Sequence, residues 1–191
     1  MIKILSCLKK YTKILDNKES VKILLQTYFG DIRDCYQTVL NLDFDGIGLD
    51  FIEGKENLTL LDRYGFDQNK ILFAGVVNGK NIWKNEYEKT VSLIEKIKNN
   101  VNKIVLNTSC SLIHVPYTIE NERNLDQIYK NNFSFAQEKL KELFQTIEGY
   151  GYKYSGIDFI KSVGMYTIII AYLAHLHHLK FIWISLLIIT V

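Results

Sequence analysis

Four short apolar runs, each followed by a stretch of helical periodicity, recur along this chain and leave few folds open to it. The runs open at Val21, Gly46, Ile71 and Lys103, so the repeat steps by 25, 25 and 32 residues, the length of one βα unit. Val21–Phe29 is β-branched and aromatic and stops at Gly30, and Gly46–Ile52, Ile71–Val77 and Lys103–Asn107 are of the same kind. Between them the pattern predicts a helix from Asp31, its cap, to about Leu40, and a second over Glu56–Tyr64 ended by Gly65. A third places Tyr87, Val91, Ile94 and Ile97 on one face, and a long fourth, about Asn121 to Ile147, aligns Leu125, Ile128, Phe135, Leu140, Leu143 and Ile147. Apolar strands alternating with amphipathic helices imply an α/β fold with a parallel sheet and right-handed crossovers.

An open doubly wound sheet and a closed (β/α)8 TIM barrel share this rhythm. No Gly-x-Gly-x-x-Gly follows the first strand and no Gly-Lys-Ser/Thr occurs, which removes the usual phosphate-loop arguments for the open sheet. The barrel is therefore expected, but only in part: a complete one takes eight units and about 250 residues, and four strands supply half. Residues 1–147 are read as this partial barrel of about four βα units, 148–162 as a join and 163–191 as an apolar tail. The first and last strands would then lack neighbours and present unpaired edges. An amphipathic helix is expected over the first fifteen residues, where Ile2, Leu5, Leu8 and Leu15 recur at helical steps among lysines. Lys9 and Lys10 interrupt it too early for a signal peptide.

The charge balance, 23 Lys+Arg against 21 Asp+Glu, excludes a strongly basic nucleic-acid binder, and 48% hydrophobic residues exclude a disordered polar chain. Cys7, Cys35 and Cys110 are odd in number and widely spaced, which suggests neither a disulfide framework nor a paired-cysteine metal site and fits a reducing compartment.

In either architecture ligands meet the carboxyl ends of the strands. Asp50 ends an otherwise apolar strand, where a carboxylate acts as a general base or orients a cation, or else accepts local backbone N–H groups. Cys110 lies between Ser109 and Ser111 with His114 four residues on, so a nucleophile or metal pair stands against a structural loop cysteine. Asn78-Gly-Lys-Asn-Ile-Trp83 brings together Lys80, Asn81 and Trp83, with Lys84 next, as a surface for an anionic or flat ligand or simply as a βα turn. Asn-x-Ser/Thr triplets begin at Asn57, Asn107 and Asn132 and, without a secretion signal, are read as accidental.

Ile47–Gly54, Ala74–Lys84 and Ser109–Pro116, followed by Phe133-Ser-Phe-Ala-Gln-Glu-Lys-Leu140, occur in an order and spacing that closely resemble the amino-terminal barrel of cobalamin-independent methionine synthase. The resemblance covers about Leu8 to Thr146. It implies a cytoplasmic methyltransferase of methionine biosynthesis that moves a methyl group from 5-methyltetrahydropteroyltri-glutamate to homocysteine, built of two similar barrels. The second barrel would hold zinc and homocysteine. This chain would correspond to the second half of the first barrel, inactive alone and partnered, if functional, by complementary barrel fragments. Laid over it, the zinc positions of the duplicate barrel fall on Leu25, Thr27, Asp50 and Cys110, an insufficient donor set, so no zinc is expected on this chain. The resemblance also implies a scaffold with some role in binding the folate's polyglutamate tail, for which Lys80 and Lys84 are the candidate cations. A uroporphyrinogen decarboxylase-like barrel is the more distant relative, against which Ser109–Pro116 speaks.

In the tail, Lys180 is the one charged residue among Val163–Val191, a stretch longer than the about 20 residues a bilayer span needs. His175, His177, His178 and Lys180 interrupt it, and the histidines are read as a chance cluster more readily than as a metal site. Readthrough into a shifted frame or an unspliced intron would produce such a join; an acquired membrane anchor is the competing account. The alternative to a methionine-synthase fragment is therefore a non-catalytic remnant or a membrane-tethered interaction module.

Overall fold

The computed structural model describes residues 15–16, 22–149 and 184–189. The helix expected over the first fifteen residues lies outside them apart from Leu15, as do most of the join and the histidine cluster of the tail. Strands β1 (Lys22–Thr27), β2 (Gly46–Asp50), β3 (Ile71–Val77) and β4 (Ile104–Thr108) pair in parallel in the order β4-β3-β2-β1. The repeat thus folds as read. Helices α1 (Tyr36–Leu40), α2 (Glu56–Tyr64) and α3 (Tyr87–Lys98) fill the connections. Gly65 closes α2 at φ 69°, a left-handed conformation that costs glycine little.

One face of the sheet carries the core. Ile23 and Leu25 of β1, Ile47 and Leu49 of β2, and Leu72, Ala74 and Val76 of β3 join a single cluster with Val39, Leu61, Ile94, Ile97 and Leu143 from helices. The helices therefore cover the same face, and the strands, buried throughout β2, read as near-continuous apolar runs.

Three expectations change. Asp31 is not a cap: its carboxylate accepts from Arg33 Nε at 2.6 Å, and the helix begins with a 3-10 turn over Arg33–Cys35 before α1. The long helix from Asn121 is broken into a 3-10 turn at Ile119–Asn121, a short α4 (Gln127–Asn132) and α5 (Ala136–Gly149). Phe133 is extended and pairs with Trp83, while Lys84 N–H donates to Asn132 O at 3.0 Å and Ser134 N–H to Ile82 O at 2.7 Å. Those bonds take the backbone groups a continuous helix would have used. Ile128, expected inside, is 67% exposed. Finally, the outer edge of β1 is not open: β5 (Ile184–Ile189) pairs with it antiparallel, from Lys22↔Ile189 to Thr27↔Ile184. On the other side β4 has no outer strand neighbour among the described residues. Among the described residues no helix is long and apolar enough to cross a membrane.

Candidate functional site

Asp50 sits at the end of β2, 1% exposed, with both carboxylate oxygens engaged. Oδ1 accepts from Ile52 N at 2.8 Å and Glu53 N at 3.0 Å, and Oδ2 accepts from Phe29 N at 3.1 Å. Burial pushes its carboxyl above the usual range, and the backbone donors hold it back in part. This carboxylate organises the loops after β1 and β2. Phe29, at φ 62°, is in the left-handed region that non-glycine residues rarely adopt, at a cost of order 1 kcal/mol. The bond to Asp50 fixes it there, with its ring edge-on to His114 at 5.3 Å and 5.7 Å from Lys80 Nζ. Asn57, fully buried, completes the lock: Nδ2 donates to Asp50 O at 2.7 Å and Oδ1 accepts from Ile32 N at 3.2 Å.

Lys80 is paired with Glu53, an acid the sequence reading passed over. Ser109 Oγ accepts from Gly79 N at 3.2 Å, and a side chain at Gly79 would meet Cys110 O at 2.5 Å, so glycine is needed for this close approach. Ser111 Oγ accepts from Ile113 N at 3.4 Å and caps the 3-10 turn carrying His114.

Cys110 is 1% exposed, with Sγ directed to Ser111 O at 3.6 Å, and burial pushes its thiol up to about 12. A thiol so protonated is a poor nucleophile and a poor metal ligand. The unfolded thiol, at 9.0, loses its proton first, so this group's contribution to stability is full below pH 9 and declines as pH rises from 9 toward about 12. At pH 8 the native thiolate fraction is about a thousandfold below that of the unfolded chain. Iodoacetamide labelling followed by mass spectrometry is therefore expected to leave Cys110 unmodified until urea is added, and ready native labelling would refute its inertness.

The positions laid over a zinc site do not fit the metal. Leu25 is fully buried and apolar, Thr27 Oγ1 donates to Gly48 O at 2.7 Å, and Asp50 and Cys110 are engaged as above. Among the described residues no group of three or more His, Cys, Asp or Glu is placed to hold a metal ion.

On its other side the β3–α3 loop walls a cavity of about 350 Å³ lined by Asn81, Trp83, Lys84, Asn85, Lys89 and Lys139, among others. Asn78 Oδ1 accepts from Lys80 N at 2.9 Å and Asn81 N at 3.0 Å, shaping the turn. Trp83 is 57% exposed and stands edge-on to Phe133 at 5.2 Å. Lys139, on α5, is the loop's anchor: Nζ donates to Trp83 O at 2.9 Å and to Asn81 Oδ1 at 3.4 Å from a side chain only 1% exposed. Burial holds its ammonium below the usual lysine range. The structure thus divides the candidates: Asp50, Lys80 and His114 meet Phe29, with Glu53 on Lys80, Ser109 and Cys110 pack against the Gly79 turn, and Asn81, Trp83 and Lys84 line the cavity. Two triplets also take structural places, Asn57 at 0% exposed and Asn107 at 6%.

These features define an α/β protein of successive βα units whose polar rim lies at the carboxyl ends of its strands. Residues 3–102 match the family model described as "Cobalamin-independent synthase, N-terminal domain", and the chain belongs to that family. It is 57% identical over 143 residues to the 5-methyltetrahydropteroyltriglutamate–homocysteine methyltransferase of Lactococcus lactis subsp. cremoris strain SK11, covering 75% of this chain and 19% of that protein. The protein of the same name from Campylobacter jejuni strain 81-176 is 55% identical over 133 residues, 70% of this chain and 18% of its own length. The chain thus spans about a fifth of the curated relatives it matches.

Proposed function

We propose that this chain is part of the amino-terminal (β/α)8 barrel of a cytoplasmic methyltransferase that moves a methyl group from 5-methyltetrahydropteroyltri-glutamate to homocysteine. The one-sided cover of helices over four parallel strands supports this reading, because a barrel puts all its helices outside whereas a doubly wound sheet is covered on both faces. Within that enzyme the chain is a scaffold with a cationic loop for the folate's polyglutamate tail. Alone it is inactive, since Leu25, Thr27, Asp50 and Cys110 do not supply the donors that a zinc ion holding a substrate thiolate needs. Zinc would be held by the remainder of the enzyme and complementary barrel fragments would complete the fold. Of the two candidate cations Lys84 is favoured: Lys80 is neutralised by Glu53, whereas Lys84 is exposed at the cavity with no ion pair among the described residues.

The test uses a methionine auxotroph and an intact relative. This chain alone is expected to give no growth, and growth would overturn the reading of inactivity. In the purified relative, alanine at the residue aligned with Lys84 is expected to raise KM for the triglutamate folate about three- to tenfold, the effect of losing one partly exposed charge contact. It should leave KM for homocysteine unchanged. An unchanged folate KM would sink the tail-binding role.

A further inference from the structure

We propose that the cavity behind Trp83 is a carboxylate site that takes the α-carboxylate of one glutamyl unit of the tail, with Asn85 and Lys139 as its buried donors and Lys84 at its mouth. The assignment rests on the tail-binding reading above. The cavity's volume of about 350 Å³ lies near the lower end of the range for small-ligand sites and suits one such unit, not the whole folate.

Its wall holds hydrogen-bond donors that the fold leaves over. Thr90 Oγ1 donates to Asn85 Oδ1 at 2.9 Å, which fixes the amide and leaves Nδ2 buried without a partner. An orphaned buried N–H is costly, and an entering acceptor relieves that cost. Lys139 Nζ gives two protons, to Trp83 O and Asn81 Oδ1, so its third is free for a ligand. Charge points the same way. Lys89 is paired with Glu86 at 2.6 Å, and Glu142, whose Oε1 accepts from Asn85 N, offsets the charge of Lys139, so the net positive charge at the cavity is that of Lys84, which has no ion pair among the described residues. A carboxylate accepts two or more such bonds at once, and charge-assisted bonds of this type are the strong ones. The half-exposed indole of Trp83 offers an apolar wall for the methylenes of a glutamyl side chain.

The chain has two tryptophans, so a Trp183→Phe background leaves Trp83 as the reporter. Tri-γ-glutamate and its fully amidated analogue are titrated into the full 191-residue chain. The acid is expected to change Trp83 fluorescence saturably and the amide to bind at least tenfold more weakly. Asn85→Asp keeps an oxygen for Thr90 while replacing the donor with negative charge, and should weaken the acid at least tenfold. Should Asn85→Asp fail to fold by circular dichroism, Lys84→Ala, at an exposed position, decides with an expected severalfold loss. Equal binding of acid and amide overturns the carboxylate site. Binding of the acid that ignores whichever variant decides overturns the cavity assignment but leaves the tail reading standing. No saturable change refutes the site in this chain, while the KM comparison in the intact relative judges the tail reading separately.

Discussion

Asp50→Ala is expected to lower the unfolding free energy by about 3–5 kcal/mol, enough to remove much of a small domain's stability. Three backbone donors, Phe29, Ile52 and Glu53, lose the carboxylate they donate to at a site that is 1% exposed. Bonds to a charged acceptor contribute about 1.5–3 kcal/mol each, less than additively when they share one group. The left-handed Phe29 also loses the contact that holds it, so the Lys80 and His114 side of the rim should loosen with the fold. Asp50→Asn separates acceptor from charge. It keeps one oxygen, which serves the two donors at Oδ1 or the one at Oδ2, and should cost only about 1–2 kcal/mol. Burial raises the folded carboxyl above 3.8, so the folded state holds this proton more tightly than the unfolded one. The protonated group's contribution is therefore full below that pH and is lost as pH rises through the window above it, a slope that Asp50→Asn removes. Urea unfolding of the full chain at pH 7, followed by far-ultraviolet circular dichroism, measures all three proteins. A cost below about 1 kcal/mol for alanine would show that water substitutes for the carboxylate.

The elements that were legible in the sequence are those whose limits are written locally. β3 runs over Ile71–Val77 and α2 over Glu56–Tyr64, because Asn78-Gly79 and Gly65 mark where strand and helix must stop. The rhythm of four βα units was legible for the same reason: each strand is buried on both faces and each helix on one. The stretch after Pro116 was not. Counting apolar residues placed Phe135, Leu140 and Leu143 inward correctly but aligned Leu125 and Ile128 with them, and it missed that the inward side of α5 also carries Ala136 and the polar Lys139, Glu142 and Thr146. Nothing in Phe133-Ser134-Phe135 is a helix breaker; the break comes from strand-like pairing with Trp83, fifty residues away in sequence. The site divided along the same line. The rim position of Asp50 followed from its strand, but its role depends on the backbone of Phe29, and the partners of Lys80 and Trp83 are Glu53 and Lys139. Long-range partners leave no spacing to read. The antiparallel pairing of β5 with β1 was hidden likewise, since an apolar tail carries no period that distinguishes a strand from a span.

Lys139→Met should be nearly as damaging as Asp50→Ala, at about 3 kcal/mol, although it replaces a lysine by an apolar side chain of similar length. Lys139 and Glu142 are both buried, and the glutamate's charge favours the lysine's protonated form against the burial that opposes it. Glu142 Oε1 accepts from Asn85 N at 3.0 Å, whereas Oε2 has no hydrogen-bond partner. Removing the cation leaves that carboxylate uncompensated, and Trp83 O and Asn81 Oδ1 lose their buried donor. Replacing both charges should be milder than the single change: Lys139→Met/Glu142→Leu is expected to recover about 1–2 kcal/mol of the loss, a coupling that a double-mutant cycle in urea reads directly. The recovery must stay incomplete, because Asn85 N–H and Trp83 O remain without partners in the double variant. Hydrogen exchange adds a local readout, since the Lys84 amide, bonded to Asn132 O at 3.0 Å, belongs to the pairing that Lys139 braces. Its protection should fall further than that of Leu72 at the start of β3, whose amide bonds to Lys103 O at 2.9 Å. Strictly additive single-variant costs, or equal loss of protection at both amides, would mean that the buried charges do not hold the β3–α3 loop against α5.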